Sequence, residues 1–399
     1  MNGRARPMER VLLTLAGVLG VASLLGAALG LTYGGALYAL AFGNPVAASG
    51  AGVASLLAAG LALAFAALAG LGIAPWSRPF AATLLGVASS LVAWRLFAAL
   101  GAGPDGSDGV GVVWWLQVVA AWLLAWATVE QLAAIEPVAA FARTALRVLV
   151  PLVFGVWLLL LWEFVTRGLG VPQVLLPAPS LIAERFASST SILWADFRQT
   201  FLKAVLIGYA LGCGAGFTAA ILIDRSPFLK RGLLPIGNLV SALPIVGVAP
   251  IMVMWFGFDW PSKAAVVVVM TFFPMLVNTV SGLAAASPMQ RDLMRTYAAS
   301  YRQDLFKLRL PEAMPFVFNA LKINSTLALI GAIVAEFFGT PTVGMGFRIS
   351  TEVGRMNVDM VWAEIAVAAV AGSAFYALIA LVERRVTFWH PSSRAAPGR

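Results

Sequence analysis

The stretch PMQRDLMRTYAASYRQDLFKLRLPEAMP, residues 288–315, is a basic, amphipathic segment that lies between two long apolar runs. Read as one helix, it carries an apolar stripe of Leu293, Tyr297, Tyr301, Leu305 and Leu308. The pair Leu310-Pro311, with Pro315 soon after, predicts that this helix stops and that a second begins at a fixed angle. The segment therefore predicts an exposed helix and corner in an otherwise apolar chain.

Two interpretations of this segment follow from its charges. Basic residues surround the apolar stripe: Arg291, Arg295, Arg302, Lys307 and Arg309. Such a helix can lie among lipid headgroups, where cations meet anionic lipid and aromatic rings sit at the boundary. It can instead offer a soluble partner a surface to bind. The proline corner favours the second interpretation, because a helix lying on lipid needs no rigid corner.

Composition sets the broad class of the protein. Of the 399 residues, 60% are hydrophobic and only 11% are charged, which leaves too little polar surface for a soluble globule of this length. The chain is therefore predicted to be an all-α polytopic membrane protein. With one cysteine, Cys213, and one histidine, His390, the sequence offers neither an intrachain disulfide nor a plausible metal or histidine-based catalytic site. Its net charge of +9 is dispersed through loops, which argues against nucleic-acid binding.

About ten apolar runs are long enough to cross a bilayer, for which roughly 20 residues are needed. They lie near 11–31, 50–74, 80–100, 112–130, 147–168, 201–223, 234–257, 264–285, 314–338 and 361–383. The distribution of lysine and arginine places the N-terminus, the 288–312 loop and the tail 391–399 in the cytoplasm. Both termini are thus predicted to be cytoplasmic.

The chain changes character partway along. Residues 1–135 form four runs rich in Ala, Gly and Leu with few polar groups, whereas prolines, asparagines and charges enter the runs from 145 to 390. We predict an N-terminal four-span extension and a six-helix functional core. Ionisable and amide groups at membrane depth suggest function, and the candidates for a solute path are Glu163, Asn278, Asn324 and Glu336. For Glu163 the alternative is a paired structural carboxylate, and for Glu336 it is helix-end packing.

The chain contains no GxxxxGK[ST] nucleotide-binding loop, because its lysines follow Leu, Leu, Ser, Phe and Leu. ATP-driven work would therefore need a separate subunit. Two other classes stay open at this point. An ion-coupled secondary transporter would need coupling-ion groups near the midplane, and a membrane scaffold would leave the 288–312 loop without a purpose.

Residues from about 150 to 390 resemble a known family. The sequences WEFVTRGLGVPQVLLPAPS, SALPIVGVAPIMVMWFGFDWPSKAA, LMRTYAASYRQDLFKLRLPEAMPFVFNALKI and GMGFRISTEVGR occur in that order. They resemble the inner-membrane permeases of bacterial ATP-binding cassette (ABC) importers, in the branch for nitrate, sulfonates, taurine and thiamine precursors. The resemblance implies a type I importer core of six helices.

The basic loop of this chain resembles the cytoplasmic coupling motif of that family, which reads EAA, then a glycine, then Leu-Pro. When the motif is aligned on Leu310-Pro311, its EAA positions begin at Asp292 and its glycine position is occupied by Ala298. An alanine there argues against a need for the backbone freedom of glycine. The resemblance implies that the coupling residues are Asp292, Arg295, Tyr297, Ala298, Ser300, Tyr301, Leu310 and Pro311.

The resemblance also implies the partners. Cytoplasmic ABC ATPase subunits would carry ATP and Mg, a periplasmic or lipid-anchored binding protein would deliver the solute, and a second copy of the permease would complete the path in the bacterial inner membrane. The chain itself would hold no cofactor and perform no bond-making chemistry. Its sequence segments are most similar to those of family members that transport pyrimidine-type vitamin precursors or riboflavin. Transport of nitrate, sulfonate or taurine is the alternative.

Overall fold

The structure, a computed structural model, describes residues 78–101, 112–137, 139–226, 228–229, 231–232, 235–236, 244–339 and 342–389. Within these ranges every regular element is helical, and the predicted all-α polytopic class is confirmed. The predicted spans 11–31 and 50–74 and the tail 391–399 lie outside the described residues, as does part of the span 234–257.

The helices are numbered here in chain order. The first four are α1 (Arg78–Gly101), α2 (Val112–Ala133), α3 (Ala140–Gly168) and α4 (Pro179–Ser188). The next are α5 (Thr190–Phe197), α6 (Leu206–Arg225), α7 (Ile245–Phe256) and α8 (Trp260–Ala284). The last are α9 (Pro288–Thr296), α10 (Tyr301–Asp304), α11 (Leu310–Glu336), α12 (Met345–Gly354) and α13 (Val358–Val386). Two π-helical segments, Arg198–Val205 and Leu305–Arg309, join α5 to α6 and α10 to α11.

Six helical runs among the described residues are long and apolar enough to cross a membrane. They are Trp114–Ala133, Ala140–Gly168, Thr190–Arg225, Trp260–Ala284, Tyr301–Glu336 and Val358–Val386. Each coincides with a span predicted from sequence. Helix α1 occupies the predicted span 80–100, and the short apolar helix α7 occupies the described end of the span 234–257.

The chain divides into two compact units, residues 1–181 and 182–399. In the first, α1, α2 and α3 share an apolar core that includes Leu96, Leu124 and Phe164. This division follows packing within each unit, whereas the predicted limits, 1–135 for the extension and 145–390 for the core, rest on sequence character and stay a prediction.

The second unit is organised by close packing of α6 against α8. Gly208, Gly212 and Gly216 recur every four residues along α6 and face α8, where a Cβ on Gly208 would lie 2.7 Å from the carbonyl oxygen of Ala264. A Cβ on Gly212 would collide with the hydroxyl of Thr271. Small residues at this spacing let helix backbones approach closely in lipid.

The predicted corner at Leu310-Pro311 is wrong, because the chain is helical without interruption from Tyr301 to Glu336. Proline lacks an N–H and its ring crowds the preceding helical turn. The π-helical segment Leu305–Arg309 widens the turn just before Pro311, and the N–H of Leu310 donates to the carbonyl of Leu305. This wider turn accommodates the proline without ending the helix. The break in the segment lies earlier, between Thr296 and Tyr301.

Candidate coupling site and buried polar clusters

The 288–312 loop begins with two short helices that each carry their own capping box. Ser287 accepts a hydrogen bond from the N–H of Gln290, and the Gln290 side chain accepts one from the N–H of Ser287. Ser300 and Gln303 make the same reciprocal pair at the start of α10. Both pairs satisfy backbone donors that helix termini leave free. The predicted coupling residue Ser300 is therefore a helix N-cap.

Ala298 occupies the turn between these helices in a left-handed conformation, with φ of +47°. The N–H of Ala298 donates to the carbonyl of Arg295, and the N–H of Ala299 donates to that of Met294. These two bonds form a Schellman motif, whose left-handed residue is usually glycine. The expectation that alanine removes the need for glycine-like backbone freedom is therefore wrong. The turn keeps the glycine conformation, at a cost of roughly 1–2 kcal/mol for an L-residue.

The break also divides the predicted apolar stripe, so the reading of the segment as one helix is wrong. On the first part Leu293 and Tyr297 are 58% and 78% exposed. On the second part Leu305 is buried with Leu283 and Ala313. The side chains of Met289 and Phe306 are also exposed, at 84% and 63%. The large apolar side chains of the loop that are more than half exposed, named here the docking face, are Met289, Leu293, Tyr297 and Phe306.

A buried ion pair fixes the loop to the rest of the second unit. The guanidinium of Arg309 donates to both oxygens of Asp224, at 2.6 and 2.7 Å, and its Nε donates to the carbonyl of Leu283 at 3.0 Å. Tyr301 lies beside the pair, with its hydroxyl 3.5 Å from Asp224 and its ring 5.6 Å from the Arg225 guanidinium. Sequence reasoning missed Asp224, although an acid at the end of an apolar helix is an available signal.

The remaining predicted coupling residues are placed as follows. Asp292 and Arg295 form an exposed pair 3.4 Å apart, of a kind that contributes little stability. Leu310 and Pro311 are half-buried in the first turn of α11. Tyr297 lies on the surface and is 78% exposed.

The predicted path residue Glu163 is a paired structural carboxylate in the first unit. Its oxygens accept hydrogen bonds from the N–H and hydroxyl of Ser180 at 2.9 and 2.6 Å, and it pairs with Arg167 at 2.5 Å. Only 3% of the residue is exposed. This geometry matches the paired alternative considered for Glu163.

Asn324 lies at the centre of the second unit and joins three helices. It is fully buried, and its amide nitrogen donates to the carbonyl of Thr271 at 2.8 Å and to the sulfur of Cys213 at 3.2 Å. The other predicted amide, Asn278, is half-buried and donates to the carbonyl of Pro274 at 2.8 Å. The amide nitrogen of each residue thus has a partner within the protein, whereas the side-chain oxygen of Asn324 accepts no hydrogen bond from the described residues.

Glu336 belongs to a clamp on the N-terminus of α12. It accepts hydrogen bonds from the hydroxyl of Thr200 at 2.8 Å and from the N–H of Gly346 at 2.7 Å. Thr200 accepts from the N–H of Met345 at 2.8 Å, and Asp196 accepts from that of Gly344 at 2.6 Å. We name Asp196, Thr200 and Glu336 the α12 clamp. Anionic groups at a helix N-terminus satisfy its free donors and oppose its dipole.

Two cations accompany the clamp. Arg348 pairs with Asp196 at 2.9 Å. Lys263, only 1% exposed, donates to the carbonyl oxygens of Phe258 and Gly339. The nearby Asp259 caps α8, and the hydrogen bond from the N–H of Trp260 holds the pKa of this carboxyl below its ordinary value. Elsewhere in the unit Lys322 pairs with Glu383 at 2.7 Å.

Comparison with known proteins identifies the class of transporter. A family model for the inner membrane component of binding-protein-dependent transport systems matches residues 208–388. The formylaminopyrimidine transport permease ThiX of Halalkalibacterium halodurans is 30% identical over 247 residues, which are 62% of this chain and 98% of the relative. The riboflavin permease RibX of Chloroflexus aurantiacus is 30% identical over 237 residues, 59% and 88% of the two chains.

A third relative carries the name of a different solute. It is SsuC of Bacillus subtilis, named a putative aliphatic sulfonates transport permease protein. SsuC is 28% identical over 235 residues, which are 58% of this chain and 84% of the relative. The identities and coverage resolve the choice left open by the sequence between an importer permease, an ion-coupled carrier and a scaffold. The chain belongs to the family of binding-protein-dependent ABC importer permeases, with the all-α type I fold of that family.

Proposed function

We propose that the 288–312 loop of this permease is the site at which a separate cytoplasmic ABC ATPase docks and drives transport. The docking face carries the proposal: four large apolar side chains, between 58% and 84% exposed, stand on a loop whose backbone is fixed from within. Aromatic residues and methionine are enriched in protein interfaces, where a few large anchor side chains supply most of the binding energy. ATP and Mg belong to the partner.

A rigid attachment is needed for force to pass from this loop to the membrane helices. The Arg309 and Asp224 pair connects the start of the long Tyr301–Glu336 run to the end of α6. Arg291 adds a hydrogen bond to the carbonyl of Ala284 at the end of α8. Displacement of the docking face would therefore move α6, α8 and α11 together.

We further propose that the solute is a flat heteroaromatic compound, either a pyrimidine-type vitamin precursor or riboflavin. An anionic solute such as a sulfonate would require an available cation or helix N-terminus. Four buried or half-buried cations of the second unit are already engaged by protein groups: Lys263, Arg309, Lys322 and Arg348. The N-terminus of α12 is likewise occupied by its clamp.

The assembly proposed for the inner membrane has two permease copies, two ATPase subunits and an external binding protein, with both permease termini in the cytoplasm. Substrate-stimulated ATP hydrolysis by this assembly in proteoliposomes tests the solute. We expect stimulation by a formylaminopyrimidine or riboflavin with the binding protein present. Stimulation by taurine or an alkanesulfonate alone would replace the heteroaromatic proposal with the anion alternative and leave the docking proposal intact.

A further inference from the structure

The C-terminal end of α13 combines an exposed apolar surface with two exposed arginines. Leu378 and Leu381 are 58% and 57% exposed, and Phe388, just beyond the helix, is 69% exposed. Arg384 and Arg385 lie between these apolar residues along the chain and are exposed as well. Because α13 is long and apolar enough to span a membrane, its end with two arginines and an aromatic ring is expected at the level of the lipid headgroups.

The two leucines and the second arginine share one face of the helix. Positions 378, 381 and 385 are three and four residues apart, and side chains at these spacings lie one above another on an α-helix. Helical hydrogen bonding continues through this end, since the N–H of Thr387 donates to the carbonyl of Glu383 at 2.8 Å. At a rise of about 1.5 Å per residue, Arg385 lies about 10 Å beyond Leu378 along the helix axis. The exposed face therefore changes from apolar to cationic over about two helical turns.

The protein does not neutralise these two arginines. Among the residues that the structure describes, no carboxylate forms an ion pair with Arg384 or Arg385, and neither side chain donates a hydrogen bond. Their neighbour in sequence, Glu383, pairs instead with Lys322 on α11 at 2.7 Å. The guanidinium donors are therefore available to an external anion at the edge of an apolar surface.

We propose that this end of α13 binds an anionic phospholipid, with an acyl chain along Leu378 and Leu381 and the headgroup phosphate on Arg384 and Arg385. Guanidinium groups bind phosphate oxygens through paired N–H donors, and cations beside a membrane span attract anionic lipid. Charge complementarity favours this occupant over a second copy of the chain. A copy packed through the same face across a two-fold axis would place its own two arginines opposite these, and the like charges would repel.

Photo-crosslinking of the full chain in nanodiscs tests this, with a photoreactive phenylalanine derivative at Phe388. The nanodiscs contain equal amounts of phosphatidylglycerol and phosphatidylcholine with the same acyl chains. We expect phosphatidylglycerol adducts to exceed phosphatidylcholine adducts at least about fivefold, since one cation near an anionic lipid surface contributes roughly that factor. The double variant Arg384→Gln/Arg385→Gln should lower the ratio to about one. The matched control Arg198→Gln/Arg355→Gln removes two exposed arginines elsewhere in the unit and should keep the preference.

The result for the chain with both arginines in place decides the proposal even if the double variant does not fold. Equal labelling of the two lipids would overturn it, because an anionic lipid site must distinguish their headgroups. Crosslinking chiefly to a second copy of the chain would assign this face to a protein interface and would also overturn it. A phosphatidylglycerol preference that survives in Arg384→Gln/Arg385→Gln would show that other groups bind the headgroup and would contradict the assignment.

Discussion

Short helices lie at both ends of the Tyr301–Glu336 helical run, and they are fixed in different ways. On the N-terminal side, α9 and α10 are capped by residues within three positions of the helix start, through Ser287 with Gln290 and Ser300 with Gln303. On the C-terminal side, two of the three residues that clamp α12 come from a part of the chain about 145 residues away. The first arrangement is a local module attached by one ion pair, whereas the second exists only in the assembled fold.

This difference suggests a division of labour between the two regions. A locally capped loop keeps its shape when the helices beneath it move, which suits a surface that must stay bound to a partner. A helix held by side chains from other elements is sensitive to the relative positions of those elements. The variants below test this comparison, from the largest expected effect to the smallest.

The largest effect is expected for Glu336→Ala in the α12 clamp. It removes acceptors from Thr200 and Gly346 in a buried site, and we expect the free energy of unfolding to fall by about 3 kcal/mol. Hydrogen exchange of residues 344–354 should increase, and the melting temperature should fall. Glu312→Ala, at the opposite end of α11, is the matched control with a single 3.2 Å bond to Gln290. Equal effects of the two variants would contradict the clamp.

A smaller effect is expected when the attachment of the loop is broken. Asp224→Ala leaves Arg309 without its carboxylate and should destabilise the protein by about 2 kcal/mol, because the pair is largely buried. Thermal unfolding of Asp224→Ala, Arg309→Ala and the double variant should show that the two losses do not add. The exposed pair Asp292 and Arg295 provides a control cycle, for which we expect a coupling near zero. Additive losses at Asp224 and Arg309 would refute the attachment.

Tyr297→Asp should alter coupling without altering stability, because this side chain is 78% exposed. We expect the affinity for the ATPase subunit to fall about tenfold, equivalent to about 1.4 kcal/mol. Tyr297→Phe keeps the ring and should keep the affinity. Tyr301→Ala should lower both coupling and stability, because that ring packs beside Arg225 and Asp224. Intact substrate-stimulated ATPase activity in Tyr297→Asp would count against the docking face.

The smallest effect concerns the turn of the loop. Ala298→Gly should stabilise it by about 1 kcal/mol, because glycine adopts the left-handed conformation without the steric cost of alanine. Hydrogen exchange of residues 294–300 should slow slightly. Ala299→Gly is the control one residue away, where φ is not positive, and it should give no gain. A loss of stability in Ala298→Gly would show that the Schellman turn does not limit the loop.

Much of the architecture could be predicted from the sequence because it depends on local composition. Apolar runs of membrane length located the six described spans, and the Ser-x-x-Gln spacings that cap α9 and α10 are visible in the sequence. The break in the loop was misplaced because Leu310-Pro311 is a strong local signal. The π-helical turn at Leu305–Arg309 accommodates Pro311 within the helix, and no residue pattern predicts such a turn.

The buried polar groups could not be predicted in the same way. Some of these groups could be named as candidates for the solute path because polar groups are costly in lipid. Their hydrogen-bond partners, however, depend on tertiary packing. Glu336 meets Thr200 across 136 residues, and Asp196 meets Arg348 across 152. Asp196, Asp224 and Glu364 were not identified, since each lies near the end of an apolar run and looks like an ordinary boundary residue. The sequence thus marks such groups as candidates without identifying their partners.

Photo-crosslinking from the docking face tests the proposed coupling most directly. A photoreactive residue at Tyr297 in the assembled transporter should crosslink to the ATPase subunit in high yield. The same residue at Phe316, an exposed position on α11 within the membrane-spanning run, should not. Equal yields from both positions, or crosslinking of Tyr297 to lipid alone, would contradict the claim that ATP-driven motion enters the membrane helices through the 288–312 loop.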